Sequence, residues 1–410
     1  MQFLFEILIY ASFAFIMSWL ARNAWLAEEN DCRRLYDDAD GDDVVQSPCF
    51  GRWNSYLTLY VLFFTIVGGL RWNVGSDSLA YAYLFTLPEH GGPAQSGNQT
   101  ELIFAALKYV VGALSLHPSF GLAAMAFIQI FFLTKALQRY KWMLVFVPFV
   151  LFGGCYWANL MGACRQMMAA CVFMWAIRFI ISRQLARYMA CIAVCYFIHH
   201  SSLLLIPVYF LPVGLRLLDR RVLLCAIVIA CCVIGQTPAF AALGSYVESL
   251  SMFMGYDNYA TTFSTMLTEG YSSEKLSFGP MMLSYLLIPL FIIWYGPRLE
   301  EEYADKIPEF YLWYNMALFY ACGYFLVCNI SHIFIRPFLY FLLPQMFMAA
   351  LLLKYLVDRY RENSNYQIAC VIFCVVISLN TAWDVTKSSG QLREFATYKT
   401  VLTNGFWWLR

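Results

Sequence analysis

Residues 119–136 read SFGLAAMAFIQIFFLTKA, an 18-residue run whose one charge is Lys135 near its end. The hydrocarbon core of a bilayer is about 30 Å thick, so a helix needs about 20 mainly apolar residues to cross it. Polar and apolar residues do not alternate in this run, which argues against a strand of an outer-membrane barrel. The run therefore predicts a transmembrane α-helix.

Comparable runs recur along almost the whole chain. The composition agrees, because 61% of the residues are hydrophobic and 13% are charged, whereas about a quarter of a soluble globular chain is charged. We predict an all-α, polytopic transmembrane helical bundle of about 12 spans, forming one integral membrane domain over residues 1–410. The predicted spans are residues 3–20, 55–70, 119–136, 142–158, 166–182, 187–200, 201–215, 221–237, 279–296, 310–330, 333–353 and 366–382.

The charge balance and the cysteines exclude several classes of protein. The 27 Lys+Arg against 26 Asp+Glu give no basic footprint for nucleic acid. Most of the 14 cysteines lie inside apolar runs, where a free cysteine behaves as a small hydrophobe. No Cys/His group has zinc spacing. We therefore expect no disulfide framework, no metal and no cofactor.

The distribution of Lys and Arg predicts the orientation of the spans. One set of alternate loops holds 17 of the 27 basic residues and is cytoplasmic by the positive-inside rule. Residues 21–54 then form a cytoplasmic loop, residues 71–118 and 238–278 form outer loops, and both termini face outward. The basic residues after position 386 weaken this assignment for the C-terminus.

If residues 71–118 form a single outer loop, no membrane crossing can lie between residues 101 and 116. We predict a re-entrant or amphipathic helix on the outer face there. Irregular backbone near a membrane needs protein or water around it. The outer loops therefore predict a cavity that opens outward.

Three arginines on the outer side interrupt apolar sequence: Arg71, Arg165 and Arg336. A charge in apolar surroundings costs about 3 kcal/mol on insertion scales, so their retention needs a reason. One reason is an anionic substrate, because Arg binds phosphate through two parallel hydrogen bonds. The alternatives are an ion pair with an acid such as Asp77 or Glu101, or snorkelling to the interface. We favour the anion site for the three as a set.

Two acids and two histidines are candidates for proton transfer. Asp77 equally suits a helix N-cap, and Glu101 equally suits the favourable charge of a helix N-terminus. His199 and His200 interrupt an apolar run at the outer end of a span, and histidine is the usual general base near neutral pH. His332, four residues before Arg336, is a further candidate.

Several short motifs occur in a fixed order, namely Arg71…Gly75-Ser76-Asp77…Tyr81, Glu101-x-x-Phe104-x-x-Leu107, Arg165-Gln166, His199-x-Ser201-Ser202-Leu203 and Arg336-x-x-x-Tyr340. Together they resemble the EpsG family of Wzy-type bacterial polysaccharide polymerases from about residue 55 to 355. The acidic loop 21–54 and the second histidine, His200, depart from the family pattern.

The resemblance implies a multi-pass glycosyltransferase of the bacterial inner membrane. It would polymerise oligosaccharide repeat units carried on undecaprenyl pyrophosphate into O-antigen, capsule or exopolysaccharide. Membrane lipid would surround it, and a chain-length regulator is a candidate partner. In that reading the 71–118 and 238–278 loops are periplasmic. The implied catalytic residues are His199, Asp77 and Glu101, and the implied pyrophosphate- or substrate-binding residues are Arg71, Arg165, Arg336, Gln166, Tyr340 and His200.

Three other functions remain open at this point. A lipid-linked oligosaccharide ligase, or another polyprenyl-dependent glycosyltransferase, would share the donor and the outward cavity. A flippase or transporter would show internal repeats and charge near the bilayer midplane, whereas here Arg178 is the only basic residue placed in the middle of a span. A membrane acyltransferase would also use a histidine such as His199.

Overall fold

The structure is a computed structural model, and it is almost wholly helical where it describes the chain. It describes residues 2–37, 51–75, 77–86, 101–154, 156–237, 279–329, 332–387 and 398–404. The predicted outer loop 238–278 and the acidic cluster of the 21–54 loop therefore lie outside the described residues.

Six helices in the described chain are long and apolar enough to cross a membrane, and a bent pair raises the number to seven. This agrees with the predicted all-α, polytopic membrane class. The six candidate spans are Leu4–Arg33, Pro118–Leu137, Cys164–Ile181, Pro280–Tyr303, Phe310–Val327 and Ser364–Trp383.

The predicted number of 12 spans is not confirmed, because apolar composition does not mark where a helix breaks. The run at 142–158 is divided into Lys141–Gly153 and Tyr156–Gly162, which meet at 75°. The run at 333–353 is divided into His332–Leu339 and Leu342–Asp358. The runs at 55–70, 187–200, 201–215 and 221–237 form helices of 11 to 16 residues, namely Ser55–Leu70, Leu185–Ile198, the 3₁₀ helix His200–Phe210 and Arg221–Gly235.

The described residues divide into two compact units. The first unit comprises those between Met1 and Gly92, between Thr100 and Leu211, and between Leu353 and Arg410. Its elements are α1 (Gln2–Asp37), α2 (Ser55–Leu70), β1 (Arg71–Trp72), α3 (Ser78–Thr86), α4 (Leu102–Ala113), α5 (Pro118–Leu137), α6 (Lys141–Leu144), α7 (Val147–Gly153), α8 (Tyr156–Gly162), α9 (Cys164–Ile181), α10 (Leu185–Ile198), the 3₁₀ helix His200–Phe210, and, near the C-terminus, Ser364–Lys387, β2 (Lys399–Thr400) and Val401–Asn404.

The core of this unit is the row of helices α2, α5, α9 and α10, each packed against the next. Small residues allow the close approach of α2 and α5. A Cβ added at Gly68 would lie 2.6 Å from the Ala126 methyl, and one at Gly69 would lie 2.5 Å from the Ala123 methyl. Small residues at such contacts are typical of helix pairs in membranes.

Helix α1 continues beyond the predicted span 3–20, because the good helix formers after position 20 extend it to Asp37. Two of its carboxylates are buried, one near its N-terminus and the other nine residues before its end at Asp37. Glu6 accepts from the Tyr398 backbone N–H, and Glu28 accepts from the Lys141 ammonium and the Gly51 backbone N–H. These glutamates are 22 positions apart, or about 33 Å along a helix, close to the thickness of a bilayer core.

The second unit comprises the described residues between Pro212 and Leu352. The helix Arg221–Gly235 packs there against Pro280–Tyr303 and Phe310–Val327. Arg216 donates two hydrogen bonds to the Glu300 carboxylate, at 2.6 and 2.9 Å, and these connect the segment before Leu218 to the C-terminal end of the helix Pro280–Tyr303. Arg336 and Tyr340 belong to this unit.

Candidate functional site

A break between α8 and α9 places Arg165 at the start of a span. Ala163 separates the two helices with φ −84° and ψ 49°. The buried Gln129 amide, on α5, donates to the carbonyls of Leu160 (2.8 Å), near the end of α8, and Cys164 (3.2 Å), the first residue of α9. Non-helical backbone at membrane depth requires such protein partners. The break therefore positions Arg165 at the end of the bundle rather than within it.

Glu101 brings together residues that are far apart in sequence. It is the N-cap residue of α4, yet its side chain makes no capping hydrogen bond. One carboxylate oxygen instead accepts from Nη1 of Arg165, and the other accepts from Nδ1 of His199 at 2.7 Å. Only 7% of the Glu101 side chain is exposed, against 31% for Arg165 and 18% for His199. The carboxylate is therefore the buried centre of a cluster whose two partners reach the surface.

Two aromatic rings fix the guanidinium of Arg165. Its Nε donates to the Tyr81 hydroxyl at 3.3 Å, and its Cζ atom lies 5.2 Å from the Phe104 ring centroid. Tyr81 and Phe104 pack edge to face, with centroids 5.7 Å apart. Phe104 shares a face of α4 with Glu101, because residues three apart are neighbours on a helix. We call Tyr81, Glu101, Phe104, Arg165 and His199 the Glu101 cluster.

His199 lies at a helix break rather than inside a span. Helix α10 ends at Ile198, and His199 is extended, with φ −158° and ψ 116°, before the 3₁₀ helix begins at His200. This break directs the two neighbouring histidines differently. His199 meets Glu101, whereas the His200 ring lies 4.8 Å from the Tyr196 ring.

The electrostatics of the cluster keep Glu101 ionised. Burial acts to raise the pKa of Glu101, but the hydrogen bond from His199 and the charge of Arg165 outweigh it, so the pKa lies below its ordinary value of 4.5. Burial also raises the pKa of Tyr81 to about 12, so its hydroxyl stays protonated.

An ionised carboxylate only accepts hydrogen bonds. Nδ1 of a neutral His199 must therefore carry the hydrogen, which leaves Nε2 as a proton acceptor. Among the described residues Nε2 has no hydrogen-bond partner. The arrangement can take a proton from a group that approaches Nε2.

Arg71 lies behind the cluster and is fully buried. Its Nη1 donates to the Gly68 carbonyl, its Nη2 donates to Cys164 Sγ at 3.3 Å, and its Nε has no hydrogen-bond partner among the described residues. The guanidinium thus caps the C-terminal end of α2, whose last carbonyls lack helical partners. The guanidinium therefore meets the cluster only indirectly, through Cys164, the residue before Arg165.

The remaining predicted residues lie in different places. The half-buried Asp77 precedes α3. Its backbone carbonyl accepts from the Tyr81 backbone N–H at 2.9 Å, so Asp77 occupies the position of a helix N-cap. Gln166 is buried next to Arg165 in sequence. In the second unit, Tyr340 is fully buried and Arg336 is exposed on the helix His332–Leu339. Their roles, and the outward cavity, stay predictions.

Sequence reasoning did not assign Phe104, Cys164 or Gln129 to the site. The spacing of Glu101 and Phe104 could have shown that they share a helix face. A buried glutamine inside the run 119–136 could have indicated a broken neighbouring helix. Nothing in the sequence indicated that the Cys164 thiol would meet Arg71.

A family model described as the EpsG family matches residues 54–399, most of the chain. The chain belongs to the EpsG family. The predicted resemblance is therefore confirmed, and all five residues of the Glu101 cluster in this EpsG-family protein lie inside the matched range. No curated protein and no solved structure matches the chain. Membership suggests a Wzy-like role in polysaccharide polymerisation.

Proposed function

We propose that this EpsG-family protein polymerises undecaprenyl-pyrophosphate-linked oligosaccharide repeat units into long-chain surface polysaccharide at the outer face of the bacterial inner membrane. The family match supports the class of reaction. The observation that carries the proposal is the buried Glu101 carboxylate, with an imidazole on one oxygen and a guanidinium on the other. Glycosyl transfer to a hydroxyl needs both a base and a cation near the leaving group.

The imidazole provides the base. A sugar hydroxyl of the incoming unit would give its proton to Nε2 of His199 while its oxygen bonds to the anomeric carbon of the growing chain. Glu101 would hold the imidazole in this tautomer and stabilise the imidazolium that forms, as the carboxylate does in Ser-His-Asp triads. Glu101 is thereby a positioning residue, and His199 is the base.

The guanidinium provides the cation. The bond from the anomeric carbon to the pyrophosphate oxygen breaks as the new bond forms, and the lipid pyrophosphate departs with the electron pair. Charge develops on that oxygen, so a fixed cation beside it lowers the barrier. Arg165 is our choice, because part of its side chain is exposed while Glu101, Tyr81 and Phe104 fix its position. Arg71 would add positive potential from behind, and Arg336 is proposed as a further cation.

The proposal is tested by gel analysis of surface polysaccharide from cells with wild type, a deletion, or His199→Ala at equal membrane level. We expect the deletion and His199→Ala both to reduce a long ladder to a single repeat unit. His117→Asn is the matched control, because it replaces another histidine but keeps an N-cap side chain for α5. A full ladder in His199→Ala would contradict the proposal.

The same gels separate the other candidate functions. Loss of all surface polysaccharide, with lipid-linked units retained inside, would indicate a flippase. Loss of the attachment of finished chains, with the ladder intact on the lipid carrier, would indicate a ligase. Loss of acyl groups alone would indicate an acyltransferase.

A further inference from the structure

We propose that the segment Tyr398–Asn404 is a positioning part of the site, which holds Arg71 and α3 in place. We call residues 398–404 the C-terminal clamp. The inference rests on the proposed function, because it concerns the arrangement of the same cluster.

The first contact of the clamp is with the end of α2. The last four carbonyls of a helix have no partner within it, and in α2 these belong to residues 67–70. The Tyr398 hydroxyl donates to the Val67 carbonyl at 2.6 Å, and Arg71 donates to the next carbonyl, that of Gly68. Tyr398 and Arg71 therefore cap the same helix end side by side. Loss of one cap frees the turn that carries the other.

The second contact is a pair of short strands. Strand β2 is antiparallel to β1, with Arg71 opposite Thr400 and Trp72 opposite Lys399. Directly after β2, the buried Val401 packs against Ala82 of α3. Ala82 follows Tyr81, whose hydroxyl binds Arg165. The clamp thus touches the two elements on which Arg71 and Tyr81 depend.

The third contact anchors the clamp to α1. The Tyr398 backbone N–H donates to the Glu6 carboxylate at 3.0 Å, and the Tyr398 ring packs on Phe13 with centroids 4.9 Å apart. Helix α1 belongs to the packed bundle of the first unit. The clamp therefore connects the turn at Arg71 to a fixed support, which is what a positioning segment requires.

The strand register gives a test of docking that does not depend on activity. Directly opposed residues of an antiparallel pair have Cα atoms about 4.5–5.5 Å apart, within the range that a disulfide bridges. We expect Trp72→Cys with Lys399→Cys to form a disulfide in cells if both strands face the oxidising outer compartment. Trp72→Cys with Leu402→Cys is the control, because Leu402 is exposed and lies beyond the paired strand.

The bond is detected by mass spectrometry of peptides from membranes whose thiols were blocked at lysis. A disulfide in the paired variant and none in the control supports docking on the outer side. A disulfide that forms only after addition of an oxidant to isolated membranes would overturn the assignment of the two strands to the outer side of the membrane. No disulfide under either condition would overturn the clamp itself.

The functional test removes one oxygen atom. Tyr398→Phe keeps the ring on Phe13 but loses the hydroxyl that caps Val67. We expect about five-fold less long-chain polymer per unit of membrane protein, with only a small fall in melting temperature because a single hydrogen bond is lost. In the Trp72→Cys, Lys399→Cys, Tyr398→Phe triple variant, we expect the disulfide to restore polymer to the level of the Cys pair with Tyr398 intact, because it holds the strands without the hydroxyl.

These results separate the two proposals. Wild-type polymer from Tyr398→Phe, or no rescue by the disulfide, would overturn the clamp and leave the function of His199 standing. A full ladder from His199→Ala would instead overturn the proposed function, whatever the cross-link shows.

Discussion

At the scale of single residues, Glu101 links a permanent cation to a histidine that can change its charge. A buried charge that loses its partner costs far more than the pair contributes. Arg165 and His199 both depend on this one carboxylate, and it in turn depends on them. Substitution of Glu101 should therefore affect stability and proton transfer together, and pH separates the two effects.

We expect Glu101→Gln to abolish long-chain polymer and to lower the thermal stability of the detergent-purified protein. The pKa of Glu101 is lower in the folded protein than its ordinary value of 4.5. Its contribution to stability is then fully present above about pH 4.5 and is lost as the pH falls through the folded pKa. The difference in melting temperature between wild type and Glu101→Gln should therefore shrink as the buffer is acidified below pH 4.5. A difference that does not shrink below that pH would contradict the ionised carboxylate.

Sequence reasoning assigned Glu101, Arg165 and His199 to the site, but it gave Tyr81 and Phe104 no role there and did not predict how the five residues are arranged. A histidine and an arginine that interrupt apolar runs stand out as chemistry-bearing residues. The pairing of Glu101 with His199, 98 positions away, depends on how α4 and α10 pack, and no local pattern encodes this. Sequence reasoning also offered Arg71 as a direct ligand of the anion, whereas its guanidinium is buried against the end of α2.

At the scale of elements, the cluster depends on how the Arg71 turn meets the end of α8. Gly75 has φ +99°, and a Cβ there would lie 2.5 Å from the Met161 carbonyl group. A side chain at this position is therefore unfavourable for two reasons: the positive φ strains any residue with a Cβ, and the Cβ would clash with Met161. The contact holds the turn beside Cys164 and Arg165, at the start of the next helix.

We expect Gly75→Ala to move the turn away from α8 and to lose most long-chain polymer. Such a substitution at positive φ against backbone costs at least about 1 kcal/mol. The matched control is Gly112→Ala on α4, where an added Cβ meets no atom within 4 Å. The measurement is the polysaccharide ladder together with the melting temperature of each purified variant. Equal ladders from the two variants would show that the turn does not position the cluster.

The sequence predicted that the elements are helices better than it predicted the residues at which each helix ends. Hydrophobic runs predicted the helices Pro118–Leu137 and Cys164–Ile181 closely, because burial in lipid requires continuous apolar residues. They also placed span boundaries close to the breaks at Ala163 and His199, but they did not predict the partners from other helices that stabilise each break. Gln129 is such a partner for the first break.

At the scale of the whole molecule, the first unit has a definite polarity along α1. The Glu6 end of α1 carries the clamp and Arg71, and the Glu28 end carries Lys141 and Gly51. Sequence charge predicts that the Glu28 end is cytoplasmic, since Arg52, Arg139 and Lys141 lie beside Glu28 and Gly51 and belong to the predicted basic loops.

We expect a membrane-impermeant maleimide to label Leu402→Cys in intact spheroplasts and to label Arg187→Cys only after permeabilisation. Both positions are exposed, so access depends on the side of the membrane rather than on packing. Labelling is read as the increase over wild type, because the chain has 14 native cysteines. The opposite pattern would place the Glu101 cluster at the cytoplasmic face. The proposed polymerisation at the outer face would then be wrong, because the base, the cation and the clamp lie at one end of the unit and change sides together.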